Sequence, residues 1–112
     1  MHGYQLTFFT QQDRSINGVP VSQWLIDEAE GLEIRGATVS AAIQGVGRDG
    51  RNHMVNLFDL SEQPLQVTFV VDERQAQALL EHLGRADTPE IFYMRIPVEY
   101  GSIGHDQRRE GP

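Results

Sequence analysis

Apolar and polar residues alternate along four stretches of this chain and recur at helical spacing along two others. From Tyr4 to Thr10, Tyr4, Leu6 and Phe8 fall on one side and Gln5, Thr7 and Phe9 on the other, which predicts a strand. Gln11 to Val19 is polar, and Asn17-Gly18 marks a turn. Pro20 suits the first turn of a helix, where its missing N–H is not needed. Val21, Trp24, Leu25, Ala29 and Leu32 then form an apolar stripe, with Gly31 or Gly36 placed to end the helix. A second strand is expected from Ala37 to about Gly45, burying Val39, Ala41 and Ile43. Met54 to Leu60 reads as a strand or one arm of a hairpin. Leu65 to Val71 is rich in Val and Phe, and its odd-numbered residues point inward. Asp72 is a suitable N-cap for a helix carrying Ala76, Leu79, Leu80 and Leu83 at the 3.6-residue period. Gly84 to Glu90 connects this helix to a last strand, Ile91 to Tyr100, with Phe92, Met94, Ile96, Val98 and Tyr100 on one face. Pro97 favours an edge position or a bulge for that strand.

The order strand, helix, strand, strand, helix, strand predicts an α+β fold: a ferredoxin-like βαββαβ sandwich, an antiparallel sheet with two helices on one face. The other face then carries Phe9, Val70, Ile91 and Tyr93 and is an expected contact surface. Residues 1–100 are expected to form the domain and 101–112, glycine-rich and charged, a flexible tail. The segment from about Arg48 to Gln63 is too long for a tight hairpin and is expected to be partly mobile without a partner.

With 112 residues the chain can bury one small core, so self-association is a natural supplement. The net charge of −7 argues against nucleic-acid binding through a basic face. There is no cysteine, hence no disulfide, thiolate nucleophile or cysteine metal site. No apolar run approaches the roughly 20 residues that span a bilayer, so direct membrane insertion is not expected. Met1 to Gln5 lacks a basic region followed by an apolar one, and the cytoplasm is the expected compartment.

Candidate chemistry concentrates in Gln44 to His53, with three glycines, two arginines and one acid in ten residues. Gly45 and Gly47 let the backbone approach a ligand closely, Arg48 and Arg51 can clamp a phosphate, and Asp49 can hold a hard cation such as Mg²⁺. His53 can bind an anion, titrate or ligate metal. The competing reading is a glycine-rich surface loop with solvated charges. His2, His82 and His105 lack ligand spacing, and Asp27, Glu28 and Glu30 read as a solvated helix face. No nucleophile or acid/base set is identifiable, so an enzyme is not expected. Arg108 and Arg109 could close over a ligand of a neighbouring subunit, or simply belong to the tail.

The element order and Gly45-Val46-Gly47-Arg48 resemble the PII-like superfamily of signalling proteins. Within it, Leu6-Thr7, Gly36-Ala37-Thr38-Val39, the Gly-x-Gly turn, His53 and Pro64-Leu65-Gln66-Val67 are similar to the small uncharacterised PII-like proteins associated with fluoride-channel proteins. The resemblance covers roughly residues 4 to 100. It implies a homotrimer with ligand clefts between subunits, an adenine nucleotide with Mg²⁺ as the ligand, and partner contact through the loop after the second strand. That partner would be a membrane channel or transporter. Asp49 falls where the nitrogen-regulatory proteins have a glutamine that helps hold the nucleotide's metal. Two departures narrow the expectation. Gly84 to Glu90 has one glycine and no lysine where those proteins cradle a triphosphate, which favours weak binding or a mono- or diphosphate. No tyrosine lies between Arg48 and Leu65, so tyrosine nucleotidylylation at that place does not apply. A ligand-independent accessory subunit of a channel and a metal-tolerance trimer share the architecture and remain as alternatives.

Overall fold

The computed structural model describes residues 1–42, 44–46, 52–54, 62–85 and 87–104. In chain order its elements are β1 (His2–Gln11), β2 (Ser15–Ile16), β3 (Val19–Pro20), α1 (Val21–Gly31), β4 (Thr38–Ala41), β5 (Gln44–Val46), β6 (Asn52–Met54), β7 (Pro64–Asp72), α2 (Glu73–Arg85) and β8 (Phe92–Glu99). The main sheet has the order β4-β7-β1-β8, with every neighbouring pair antiparallel. Stripped of the two small hairpins, this is the expected ferredoxin-like βαββαβ arrangement.

The alternation of β1 and β7 decides which face meets the helices. Leu6 lies opposite Phe69 and Phe8 opposite Val67, so their side chains share one face. There they join Val71, Val21, Leu25 and Ala29 of α1, Ile34, and Ala76, Leu79 and Leu83 of α2 in one buried cluster. The Phe8 and Phe69 rings meet edge to face, 6.0 Å apart at 81°. Trp24, Leu32, Leu80 and Ile91 pack around this cluster, half-buried. Across the two helices, His82 Nε2 lies 3.6 Å from Glu28 Oε1, in a partly exposed pair of small energetic weight.

Local chemistry explains the helix ends. Asp72 Oδ1 accepts from the Gln75 N–H (2.7 Å), and Gln75 Oε1 accepts from the Asp72 N–H (3.0 Å). This reciprocal capping box fixes the start of α2. At the end of α1 the Ile34 N–H donates to the Ala29 carbonyl and the Glu33 N–H to the Glu30 carbonyl, both at 2.9 Å. That is the Schellman pattern, with Ile34 and Ala29 both in the core. Glu33 occupies the left-handed position (φ 62°) that usually goes to glycine. Gly31 is the last helical residue, and Gly36 (φ 86°) turns the chain towards β4.

Five expectations need correction. The second strand ends at Ala41, and the chain begins a separate two-stranded pairing at Gln44. Val39 and Ala41 are exposed, because β4 is an edge strand beyond the cover of the helices. In β8 the faces are the reverse of those expected. Phe8 pairs with Tyr93 and Thr7 with Met94, so Tyr93 lies on the helix side, its ring 5.9 Å from that of Phe8, and Ile91 packs against the core. Phe92, Met94 and Ile96 therefore share the open face with Phe9 and Val70. Finally, α2 continues through Gly84 to Arg85, and the polar segment after β1 contains the β2–β3 hairpin, closed at Asn17 (φ 51°) and Gly18 (φ 80°) as in a type I′ turn. Residues 105–112 of the expected tail, and Ile43, lie outside the described residues.

Two substitutions check the capping geometry by urea denaturation. Asp72→Ala is expected to lower stability by about 1 kcal/mol. Glu33→Gly is expected to raise it by about 0.5–1 kcal/mol, since relief of the left-handed backbone outweighs glycine's added unfolded-state freedom.

Candidate functional site

β4 runs antiparallel to β7 and ends opposite Leu65, and the Ala42 N–H donates to the Pro64 carbonyl (2.9 Å). The chain therefore leaves the sheet at the end where β1 finishes and β7 begins. Just beyond, β5 and β6 pair with Gln44 opposite Met54, Gly45 opposite His53 and Val46 opposite Asn52. This register brings the backbones of Gly45 and His53 side by side, although eight positions separate them in sequence. Residues 47–51 lie between the two arms.

Of the six candidate ligand residues, Gly45 and His53 are thus joined by strand pairing. Gly47, Arg48, Asp49 and Arg51 lie outside the described residues. The proposed role of Asp49 as a metal ligand falls there too. Among the described residues no group of three or more His, Asp or Glu side chains is arranged to hold a metal ion. The start of the pairing at Asn52, ahead of the expected Met54, has a sequence signal. Asp49-Gly50, a dipeptide common in tight hairpins, lies midway between the arms.

The connection from α2 to β8 reaches the same end of the sheet. Thr88 Oγ1 donates to the Leu83 carbonyl (3.0 Å), closing the last turn of α2 with a part-buried hydrogen bond. It delivers the chain to β8, on the opposite edge from β4. Three inter-strand spacings separate the two edges, roughly 14 Å at about 4.8 Å each. Within one chain, then, the paired segment and this connection stand on opposite flanks.

One open concavity among the described residues lies elsewhere. It holds about 370 Å³ and is lined by His2, Gly3, Tyr4, Glu73, Pro97, Val98 and Glu99. This is the far end of the sheet, where β1 starts and β8 finishes. Its walls contribute two carboxylates, a poor setting for an anion. Arg95 is engaged nearby over the Tyr4 ring, 4.9 Å from its centroid.

Comparison with known proteins adds the family. The model of DUF190, described as "Uncharacterized ACR", matches residues 3–95. The chain belongs to the DUF190 family. A relative, the UPF0166 protein of Aquifex aeolicus (strain VF5), is 33% identical over 79 residues, covering 70% of this chain and 75% of the relative. Among solved structures, the DUF190 chain is similar in fold to CPII of Thiomonas intermedia K12, a nitrogen regulatory PII-like protein bound to ADP, AMP and bicarbonate. The TM-score is 0.60 at 18% identity over 88% of this chain and 89% of that one. A protein of Thermus thermophilus described as PII-like gives a TM-score of 0.58 at 16% identity, over 87% and 85%. A functionally unknown protein of Pediococcus pentosaceus ATCC 25745 gives 0.54 at 12% identity, over 92% and 97%. At these identities the likeness is one of fold. No described helix of this chain is long and apolar enough to cross a membrane.

The Thr88 bond is testable by itself. Thr88→Val keeps the side-chain shape and removes the donor, and is expected to cost roughly 1 kcal/mol in chemical denaturation. Hydrogen exchange at the last amides of α2 is expected to accelerate with it.

Proposed function

We propose that this DUF190 protein is a non-catalytic, cytoplasmic PII-like regulatory protein. In this reading it assembles as a homotrimer and senses a small anionic ligand of the adenine-nucleotide class. The observation that carries the proposal is the placement of the Gly45–His53 pairing just past an edge strand, on a fold similar to a protein bound to ADP, AMP and bicarbonate.

Gly45 and Gly47 give the backbone its close approach, Arg48 and Arg51 bind phosphate, and His53 supplies a further donor. Asp49 alone would repel a bare anion, so its part is to hold Mg²⁺ bridging the phosphates. The separation of the two sheet edges supports a cleft between subunits, where the segment after β4 of one copy meets its neighbour. Gly84 to Glu90, without lysine, supports a mono- or diphosphate over a triphosphate. The remainder of the segment after β4 is the surface offered to a protein partner, a membrane channel or transporter.

Calorimetry with AMP, ADP and ATP, with and without Mg²⁺, tests the reading. The native protein is expected to bind AMP or ADP, and Arg48→Ala to bind about 10- to 100-fold more weakly. That range corresponds to a charged hydrogen bond of roughly 1.5–3 kcal/mol. If the native protein binds none of them at millimolar concentration, the nucleotide reading falls and a ligand-independent accessory subunit replaces it. If Arg48→Ala binds equally well, the site lies elsewhere. Binding of a divalent metal without nucleotide would favour a metal-tolerance role instead.

A further inference from the structure

The β2–β3 hairpin does for α1 what a side-chain cap does for α2. α1 starts after Pro20 with no side-chain cap hydrogen bond, and the Val21 N–H donates instead to the Arg14 carbonyl (3.0 Å). Ile16, on the first arm, packs against the core. The hairpin itself is small. Each arm has two residues, with Ser15 opposite Pro20 and Ile16 opposite Val19, and the closing residues Asn17 and Gly18 are both exposed. Of the chain's three asparagines, Asn17 is the one followed by glycine; His53 follows Asn52 and Leu57 follows Asn56. The ladder bonds of a two-residue loop join Ile16 to Val19, which leaves the Gly18 N–H outside them. A Cβ added at Gly18 would meet nothing within 4 Å among the described residues.

We propose that Asn17-Gly18 is a site of spontaneous deamidation, through which the hairpin that seats α1 passes into an isoaspartyl form. Hydroxide removes the Gly18 amide proton, and that nitrogen attacks Asn17 Cγ. The N–Cγ bond forms as the Cγ–Nδ2 bond breaks, and the departing nitrogen takes a proton and leaves as ammonia. Water then opens the cyclic imide. Cleavage of the new N–Cγ bond gives an aspartate, whereas cleavage of the original peptide bond gives isoaspartate, whose backbone is one carbon longer. One water is consumed, one ammonia is released and nothing is oxidised. Glycine favours the attack because no side chain shields its nitrogen. The closed turn opposes it. In a type I′ turn the first central residue has ψ of about +30°, which sets its Cβ nearly opposite the next nitrogen. The imide therefore closes when the hairpin opens, and two-residue arms open without global unfolding. Isoaspartate does not fit a two-residue loop, so the modified chain loses the Ile16–Val19 pair and with it the anchor of Val21.

Incubation of the native chain in mildly alkaline buffer, followed by peptide mapping and isoaspartate-specific methylation, tests this. Asn17 is expected to be the first asparagine to show the amide-to-acid gain in mass, with isoaspartate among its products. Ile16→Ala loosens the hairpin and is expected to speed the conversion severalfold. Asp72→Ala weakens the fold at α2 and is expected to leave the rate unchanged. Circular dichroism establishes that each variant is folded, and Val19→Ala takes the place of Ile16→Ala if the latter does not fold. In the isolated isoaspartyl form the Val21 amide is expected to exchange faster. Conversion of Asn52 or Asn56 ahead of Asn17, aspartate without isoaspartate, or a chain that stays unmodified for weeks overturns the proposal. Equal acceleration by Ile16→Ala and Asp72→Ala assigns ring closure to the globally unfolded chain and overturns the part given to the hairpin. Unchanged exchange at Val21 overturns the consequence for α1.

Discussion

The structure depends on one strand being paired along both edges. β1 lies between β7 and β8, and the position of every other layer follows from its register with those two. A slip of one residue would send Leu6 and Phe8 to the open face and bring Gln5, Thr7 and Phe9 against the helices. The core would lose its central side chains. Capping at Asp72 and the turn at Glu33 then only aim two helices at a face that β1 and β7 have already defined.

Legibility in the sequence followed how one-sided each element is. β7 has core residues at 65, 67, 69 and 71 and polar or exposed ones between, so its inward face was plain. In α2, Ala76, Leu79 and Leu83 sit on a stripe flanked by charged and amide residues, and Asp72 announces its start. β8 is apolar on both sides from Phe92 to Val98: Phe92, Met94 and Ile96 alternate with Tyr93 and Pro97, and Arg95 interrupts. Alternation without contrast cannot choose a face, and only pairing with β1 does. Val39 shows a different limit. Its position in the pattern is correct, since it pairs with buried Val67, but an edge strand lies beyond the helices that would cover it. The end of α1 was legible in place, near Gly31, but not in mechanism, since hydrogen bonds at Glu33 and Ile34 close it.

The candidate site was legible as chemistry more than as geometry. Glycine, arginine and aspartate types name what a segment can bind, yet they carry no period from which positions can be constructed. The pairing of Gly45 with His53 is the part of that segment that lies among the described residues. Arg48 and Arg51, the candidate anion ligands of the sequence, lie outside them.

The terminal pairing has a consequence for how the chain acquires its fold. The Met1 ammonium donates to the Tyr100 carbonyl and the Tyr100 N–H to the Met1 carbonyl, both at 2.8 Å, extending the β1–β8 ladder to its outermost point. Of the described strands, β1 precedes all the others in the chain, yet its pairing is completed by the last of them. As β1 leaves the ribosome, neither flanking strand exists, and Leu6, Phe8 and Phe9 have no sheet to enter. Local α1 can form early, but the central ladder must wait for β7 and then for β8. A chain interrupted before Phe92 would leave one whole side of β1 open, ready to pair with another chain.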